Sequence, residues 1–272
     1  MKSILRIASV IAATVWAPHA FANCADLANV TWTDANIDAL RTCDKAAIEQ
    51  FANALNGDDP LRVVVGEYRW LSAGSSGYYL VTTADLSGRG FFDTLAIYTR
   101  SDAGKVGVQS LYGVRISLEN AVRDLDGDGK VELIIPTPLA DQDARAAVPV
   151  AVWPKIYRLR GGHYEDASSK FATYYEDEVL PGLDKKIDDA KMVAEDAQSP
   201  QRLAALEMTK DKILRATGRD PNAGFDKARE WTRSSDASMI GNAVVVLGDM
   251  GGHPDALRAA EDALRTARGS AH

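Results

Sequence analysis

The sequence predicts an α+β fold, in which an antiparallel β-sheet follows a short helical segment and precedes an α-helical array. Three observations predict it. Between about residues 60 and 167, short runs rich in Val, Ile, Tyr and Trp alternate with turn residues, the spacing of hairpins. From 168 onward the apolar positions change to a helical period, with Leu203, Leu206, Ile213 and Leu214 on one face and Leu257, Ala260 and Leu264 on another. Before 57, Ile48, Phe51 and Leu55 form one stripe of an amphipathic helix. Sheet followed by helices is an α+β order. The chain accordingly divides at 1–22, 23–57, 58–167 and 168–272.

Residues 1–22 read as a secretory signal peptide. Lys2 and Arg6 supply positive charge, Ile7 to Trp16 an apolar run, and Ala20-Phe21-Ala22 a cleavage site with small residues at −3 and −1. The run is short of the about 20 residues a spanning helix needs. A free mature protein beginning at Asn23, periplasmic or secreted, is the expectation. Cys24 and Cys43, the only cysteines, then face an oxidising compartment and are expected to pair.

Composition narrows the function classes. The 272 residues carry 31 basic and 38 acidic side chains, a net charge of −7. An acidic chain is a poor partner for nucleic acid, whose binding is driven by lysine and arginine on phosphates, and for anionic membrane surfaces.

Within the first helical segment, Asn56-Gly57 is a stop signal. The strand runs follow in order. Leu61–Trp70 leads through Ala73-Gly74-Ser75-Ser76-Gly77 to Tyr78–Thr83, and Phe92–Thr99 through Ser101–Gly104 to Val106–Leu111. Val131–Ile135 is another run, and Trp153–Leu159 turns at Gly161-Gly162 into His163-Tyr164. In the helical part, Ser199-Pro200, Asp220-Pro221 and Gly251-Gly252 mark breaks between helices.

One segment carries chemistry. Asp124-Leu125-Asp126-Gly127-Asp128-Gly129-Lys130-Val131-Glu132 places acids at positions 1, 3, 5 and 9 and glycines at 4 and 6. Calcium takes six to eight oxygens at about 2.4 Å, and alternating carboxylates on a tight loop supply them. The glycines permit the backbone to wrap the ion, and the Lys130 carbonyl at position 7 is a natural backbone ligand. Position 12 is Ile135 within a strand-like run, so an EF-hand with its acidic twelfth residue fits less well.

Asp-x-Asp-Gly-Asp-Gly-x-x-Glu-Leu running into a strand resembles the calcium loop of FG-GAP/VCBS repeats, the blade unit of integrin α-subunit propellers and of many exported bacterial proteins. The resemblance implies a β-hairpin Ca2+ site with Asp124, Asp126, Asp128 and Glu132 as side-chain ligands and Lys130 through its carbonyl. A degenerate copy, Asp85-Leu86-Ser87-Gly88-Arg89-Gly90-Phe91-Phe92-Asp93, lies 39 residues earlier, close to one blade length. Arg89 there is expected to take the place of the cation between Asp85 and Asp93. A propeller takes at least four blades and the chain has room for two. The expectation is therefore two blade-like units forming one sheet, packed by the flanking helices.

Other chemistry is sparse. The histidines after residue 22 are His163, His253 and His272, without zinc spacing. Gly74–Gly77 is not a nucleophile elbow, and Tyr174–Glu178 reads as a charged helix face rather than a glycosidase pair. The function expected is that of an exported calcium-binding, non-enzymatic binding or structural protein of the cell envelope; as a binder it would take an envelope protein or a glycan through the sheet edge or the helix grooves. A periplasmic immunity or inhibitor protein is one form of this. The competing reading is a calcium-stabilised cell-wall or polysaccharide hydrolase. It predicts a cleft with two close carboxylates, one of raised pKa, whereas a binding module predicts an exposed apolar patch.

Overall fold

The computed structural model describes residues 24–56, 62–72, 78–85, 91–101, 103–139, 151–192 and 199–269. The expected signal peptide, the turn at 73–77 and Arg89 lie outside them.

The chain begins with a 3-10 turn, Cys24–Asn29, and two helices, α1 (Asp34–Arg41) and α2 (Lys45–Asn56). Thr33 starts α1 by accepting the Asn36 N–H, and the Asp44 carboxylate accepts the Ala47 N–H at the start of α2, each satisfying a donor the helix leaves over. The stripe read from sequence is the buried face of α2: Ile48 and Phe51 are fully enclosed and Leu55 packs at the margin. Cys24 and Cys43 form the expected disulfide, with Cα atoms 6.5 Å apart.

Among the described residues eight strands follow, in two antiparallel four-stranded sheets. The first runs β1 (Val64–Ser72), β2 (Tyr78–Asp85), β3 (Thr94–Arg100), β4 (Val106–Tyr112), in that spatial order. A short helix, α3 (Leu118–Ala121), leads to the second: β5 (Val122–Arg123), β6 (Glu132–Pro138), β7 (Val152–Arg160), β8 (His163–Asp166). The two units therefore build two sheets stacked face to face, where the sequence led us to expect one.

The reason is visible in β2 and β3, which are apolar on both faces. Leu80, Ala84, Ala96 and Tyr98 pack under α1 and α2, while Tyr79, Val81, Leu95 and Ile97 meet Leu133 and Ile135 of the second sheet. A sheet with two apolar faces must be covered twice. Ile134, Trp153 and Ile156 turn the other way, onto the C-terminal helices. The layers are thus helix, sheet, sheet, helix.

The two sheets share part of a strand pattern. In both units the aspartate-glycine segment joins two paired strands, β2 to β3 and β5 to β6. The first sheet adds its fourth strand before this core (β1) and the second adds it after (β8).

The sheets are fastened at named points. Asn53 of α2 clamps the Val63 backbone, donating to its carbonyl at 2.9 Å and accepting its N–H at 3.0 Å. Gln109 on edge strand β4 does the same to Tyr164 of β8, at 2.7 and 2.8 Å. The Tyr79 and Tyr164 hydroxyls share a hydrogen bond, and the Tyr164 hydroxyl donates to the Val131 carbonyl at 3.1 Å. Burial pushes both tyrosine pKa values above the usual range. Gly113 marks the crossing from one sheet to the other: a Cβ there would lie 2.7 Å from Ile135 Cγ2 and 2.8 Å from the Pro136 carbonyl oxygen. Gly113→Ala is therefore expected to wedge the sheets apart at a cost of about 1–3 kcal/mol, read by urea unfolding; a neutral result would mean the crossing yields freely.

The C-terminal part is helical as expected: α4 (Ala172–Tyr174), a π-helical turn (Tyr175–Val179), α5 (Leu180–Met192), α6 (Ser199–Ala216), α7 (Phe225–Trp231), α8 (Ala237–Met250) and α9 (Pro254–Gly269). Gly251 closes α8 in the left-handed conformation at φ 65°. No helix among the described residues is long and apolar enough to cross a membrane.

A candidate cation loop beside a charged cleft

The loop read from sequence spans the β5–β6 hairpin. Arg123 pairs with Glu132 across its base, and Val122 with Leu133. Gly127 and Gly129 have φ of 71° and 78°, and a Cβ on either would meet nothing within 4 Å. Glycine is needed here for the left-handed backbone and not for space.

These turns aim carboxylates inward. Asp124 accepts the N–H of Gly127 (2.8 Å) on one oxygen and that of Gly129 (3.0 Å) on the other. Asp126 Oδ1 accepts the Asp128 N–H, and Asp128 Oδ1 the Lys130 N–H. One oxygen from each of Asp124, Asp126 and Asp128 lies within 4.8 Å of the others, so the three can hold a metal ion. Among the described residues no other such group is found. The Lys130 N–H and the Arg158 guanidinium lower the Asp128 pKa.

Glu132 lies beneath the loop at 0 % exposure. Its Oε2 accepts the Leu125 N–H at 2.9 Å. Its Oε1 has no hydrogen-bond partner among the described residues and faces Arg158 Nε at 3.5 Å. Burial raises the Glu132 pKa, and Asp126 and Asp128 add to the effect against the Leu125 N–H and Arg158. Glu132 is not part of the three-carboxylate cluster as it stands. An ionised carboxylate with an unsatisfied buried oxygen is costly, and a cation at the loop would relieve it.

Arg158, which sequence reading did not single out, is the other charged member. It faces Glu132 across the β6–β7 ladder. Its guanidinium reaches Asp126 at 2.9 Å and also pairs with Asp128.

The degenerate loop is described only at its ends. Asp85 closes β2 in a buried position, and Asp93 accepts the Thr94 hydroxyl at 3.2 Å.

Next to the loop is a cleft of about 280 Å³, lined by Asp126 and Arg158 and, from the helical layer, Phe171, Tyr174, Asp177 and Glu178. The π-turn sets the last two at its rim; single π-turns within α-helices are frequent at functional sites. The acidic run proves to be an ion-paired helix face: Glu178 takes two hydrogen bonds from Arg123 at 2.7 and 3.0 Å, and Glu176 pairs with Arg219 at 2.8 Å. The Arg123 partner pulls the Glu178 pKa down. Arg123 also lies over the Tyr174 ring, 5.4 Å from its centroid.

Exposed apolar side chains gather elsewhere, on the first sheet. Val108 and Tyr112 stand on edge strand β4, with Phe91 at the end of the degenerate loop and Val114 in the segment that follows β4. Backbone hydrogen bonds from Gly113 to Asp93 and from Ile116 to Phe92 hold those two segments side by side. No protein-family model matches the chain, and neither does any curated protein or solved structure.

Proposed function

We propose that this is an exported, non-enzymatic binding protein of the cell envelope, stabilised by one calcium ion in an FG-GAP/VCBS-like hairpin. The ligands are Asp124, Asp126, Asp128 and Glu132 through their side chains and Lys130 through its carbonyl. One observation carries the reading. A fully buried glutamate has an oxygen that among the described residues takes no hydrogen bond and is faced by Arg158 Nε at 3.5 Å, beneath a loop whose three aspartates already meet at ion-binding distance. Hard oxygen donors alone, with no nitrogen or sulfur among them, favour calcium over a transition metal.

Binding without catalysis is favoured by the carboxylates of the cleft. Hydrolysis of a glycosidic bond needs one acid held protonated. Of the acids that line the cleft, Glu178 is displaced the opposite way by Arg123, and Glu132, whose pKa is raised, lies outside the lining and is buried. The apolar side chains on β4 offer the recognition surface for an envelope protein or a glycan.

Thermal unfolding in calcium, magnesium and chelator tests the site. Calcium at 100 times its Kd stabilises by about 2.7 kcal/mol, and Asp126→Ala is expected to abolish that gain. A calcium shift that survives Asp126→Ala, or no shift at all, would remove the loop from the reading.

A further inference from the structure

Arg158 and a metal ion need the same oxygens. The Oδ1 atoms of Asp126 and Asp128 are engaged by backbone N–H groups. The Oδ2 atoms are the ones open to a ligand, and Arg158 reaches both, with its Nε toward Glu132 Oε1, while Lys130 Nζ stands 3.5 Å from the Asp128 Oδ2 at the outer side. Three of the four acidic side chains assigned to calcium thus already face one guanidinium. Its planar fork suits several carboxylates at once and offsets the mutual repulsion of acids packed this closely.

The geometry points to Arg158 as a resident counter-ion that calcium must displace, so that loading the loop sends this side chain into the adjoining cleft. The inference rests on the calcium reading above. Calcium ligates at about 2.4 Å, so a guanidinium kept on the same Oδ2 atoms would sit within a few ångströms of a doubly charged ion and be repelled by it. The displaced side chain has a destination, because Arg158 already lines the cleft together with Asp177 and Glu178. Glu178 is occupied by Arg123. Asp177 is exposed and makes no ion pair among the described residues. It rides on the π-turn, so the filling of the loop is relayed to the helical layer as an ion pair gained. Arg158 accordingly sets the calcium concentration at which the protein responds.

Calcium titration calorimetry on wild type, Arg158→Gln, Asp177→Asn and the double variant tests this, with thermal unfolding in chelator and in saturating calcium. Arg158→Gln is expected to bind calcium about tenfold more tightly, the change of removing a competitor worth one decade. It should melt below wild type in chelator and level with it in calcium. Asp177→Asn should bind calcium more weakly than wild type, and the loss should vanish in the Arg158→Gln background, as coupling within one network requires. Equal or weaker calcium binding by Arg158→Gln would overturn the counter-ion role while leaving the calcium site intact. Equal destabilisation with and without calcium would reduce Arg158 to a structural ion pair. Heat in none of the four proteins would remove the calcium site and this inference together.

Discussion

Tyr175→Ala is expected to lower stability by about 3–5 kcal/mol, the range for emptying a buried aromatic site. The side chain is fully buried at the first residue of the π-turn. Its ring stacks on Trp153 with centroids 6.4 Å apart and meets Tyr174 edge-on at 5.5 Å. Its hydroxyl donates to the Pro154 carbonyl at 2.6 Å, which ties the helical layer to β7. Burial pushes its pKa well up, so the phenol stays protonated and a donor. Tyr175→Phe keeps the ring and loses the bond, so it should cost about 1 kcal/mol. Urea unfolding of both variants separates the two contributions. A cost near 1 kcal/mol for both would mean that the cavity collapses and that the ring does not anchor the turn. Because Asp177 and Glu178 follow on the same turn, Tyr175→Ala should also blur the cleft rim, visible as a changed calcium response.

The second large effect is at the other end of the chain. The Cys24–Cys43 bridge joins residues 19 apart, and on a chain-entropy model it stabilises by about 3 kcal/mol. Cys43 is buried in the core under the first sheet, and Cys24 packs at its margin. Reduction should therefore loosen the 3-10 turn and α1 before it reaches the second sheet. Unfolding with and without reductant measures this, with Cys24→Ser/Cys43→Ser as the control that reductant should leave unchanged. Equal stability in both conditions would mean that the bridge contributes nothing to the folded state.

Much of this architecture is legible in the sequence where the signal is local. Gly161-Gly162 as a turn, Ile48 and Phe51 as a helix face, and the pairing of two lone cysteines each depend on a few neighbouring residues. So does the aspartate-glycine loop, whose left-handed glycines lie at its fourth and sixth positions. What the sequence hides depends on register and covering. Leu80 and Val81 read as a continuous apolar run, which announces a strand buried on both faces but not what buries it, and so one sheet was expected where two are stacked. Arg158 reaches the loop only because β6–β7 register sets it opposite Glu132, 26 residues earlier. No spacing rule connects the two. The π-turn was hidden in the same way: Tyr174–Glu178 has an ordinary helical composition, and the docking of Tyr175 against Pro154 accompanies the extra residue in that turn.

Strand order has a consequence for how the molecule assembles. Both sheets run in chain order, β1-β2-β3-β4 and β5-β6-β7-β8, so among the described residues every ladder joins sequence neighbours. Hairpins form in about 1–10 μs, and topologies rich in local pairings fold fast for their size. The late events are the ones that bridge long separations: Gln109 with Tyr164, 55 residues on, and Tyr79 with the same tyrosine, 85 residues on. A chain that emerges N-terminus first can therefore complete its first sheet before the second exists, and the two then close around Tyr164 in a single docking step.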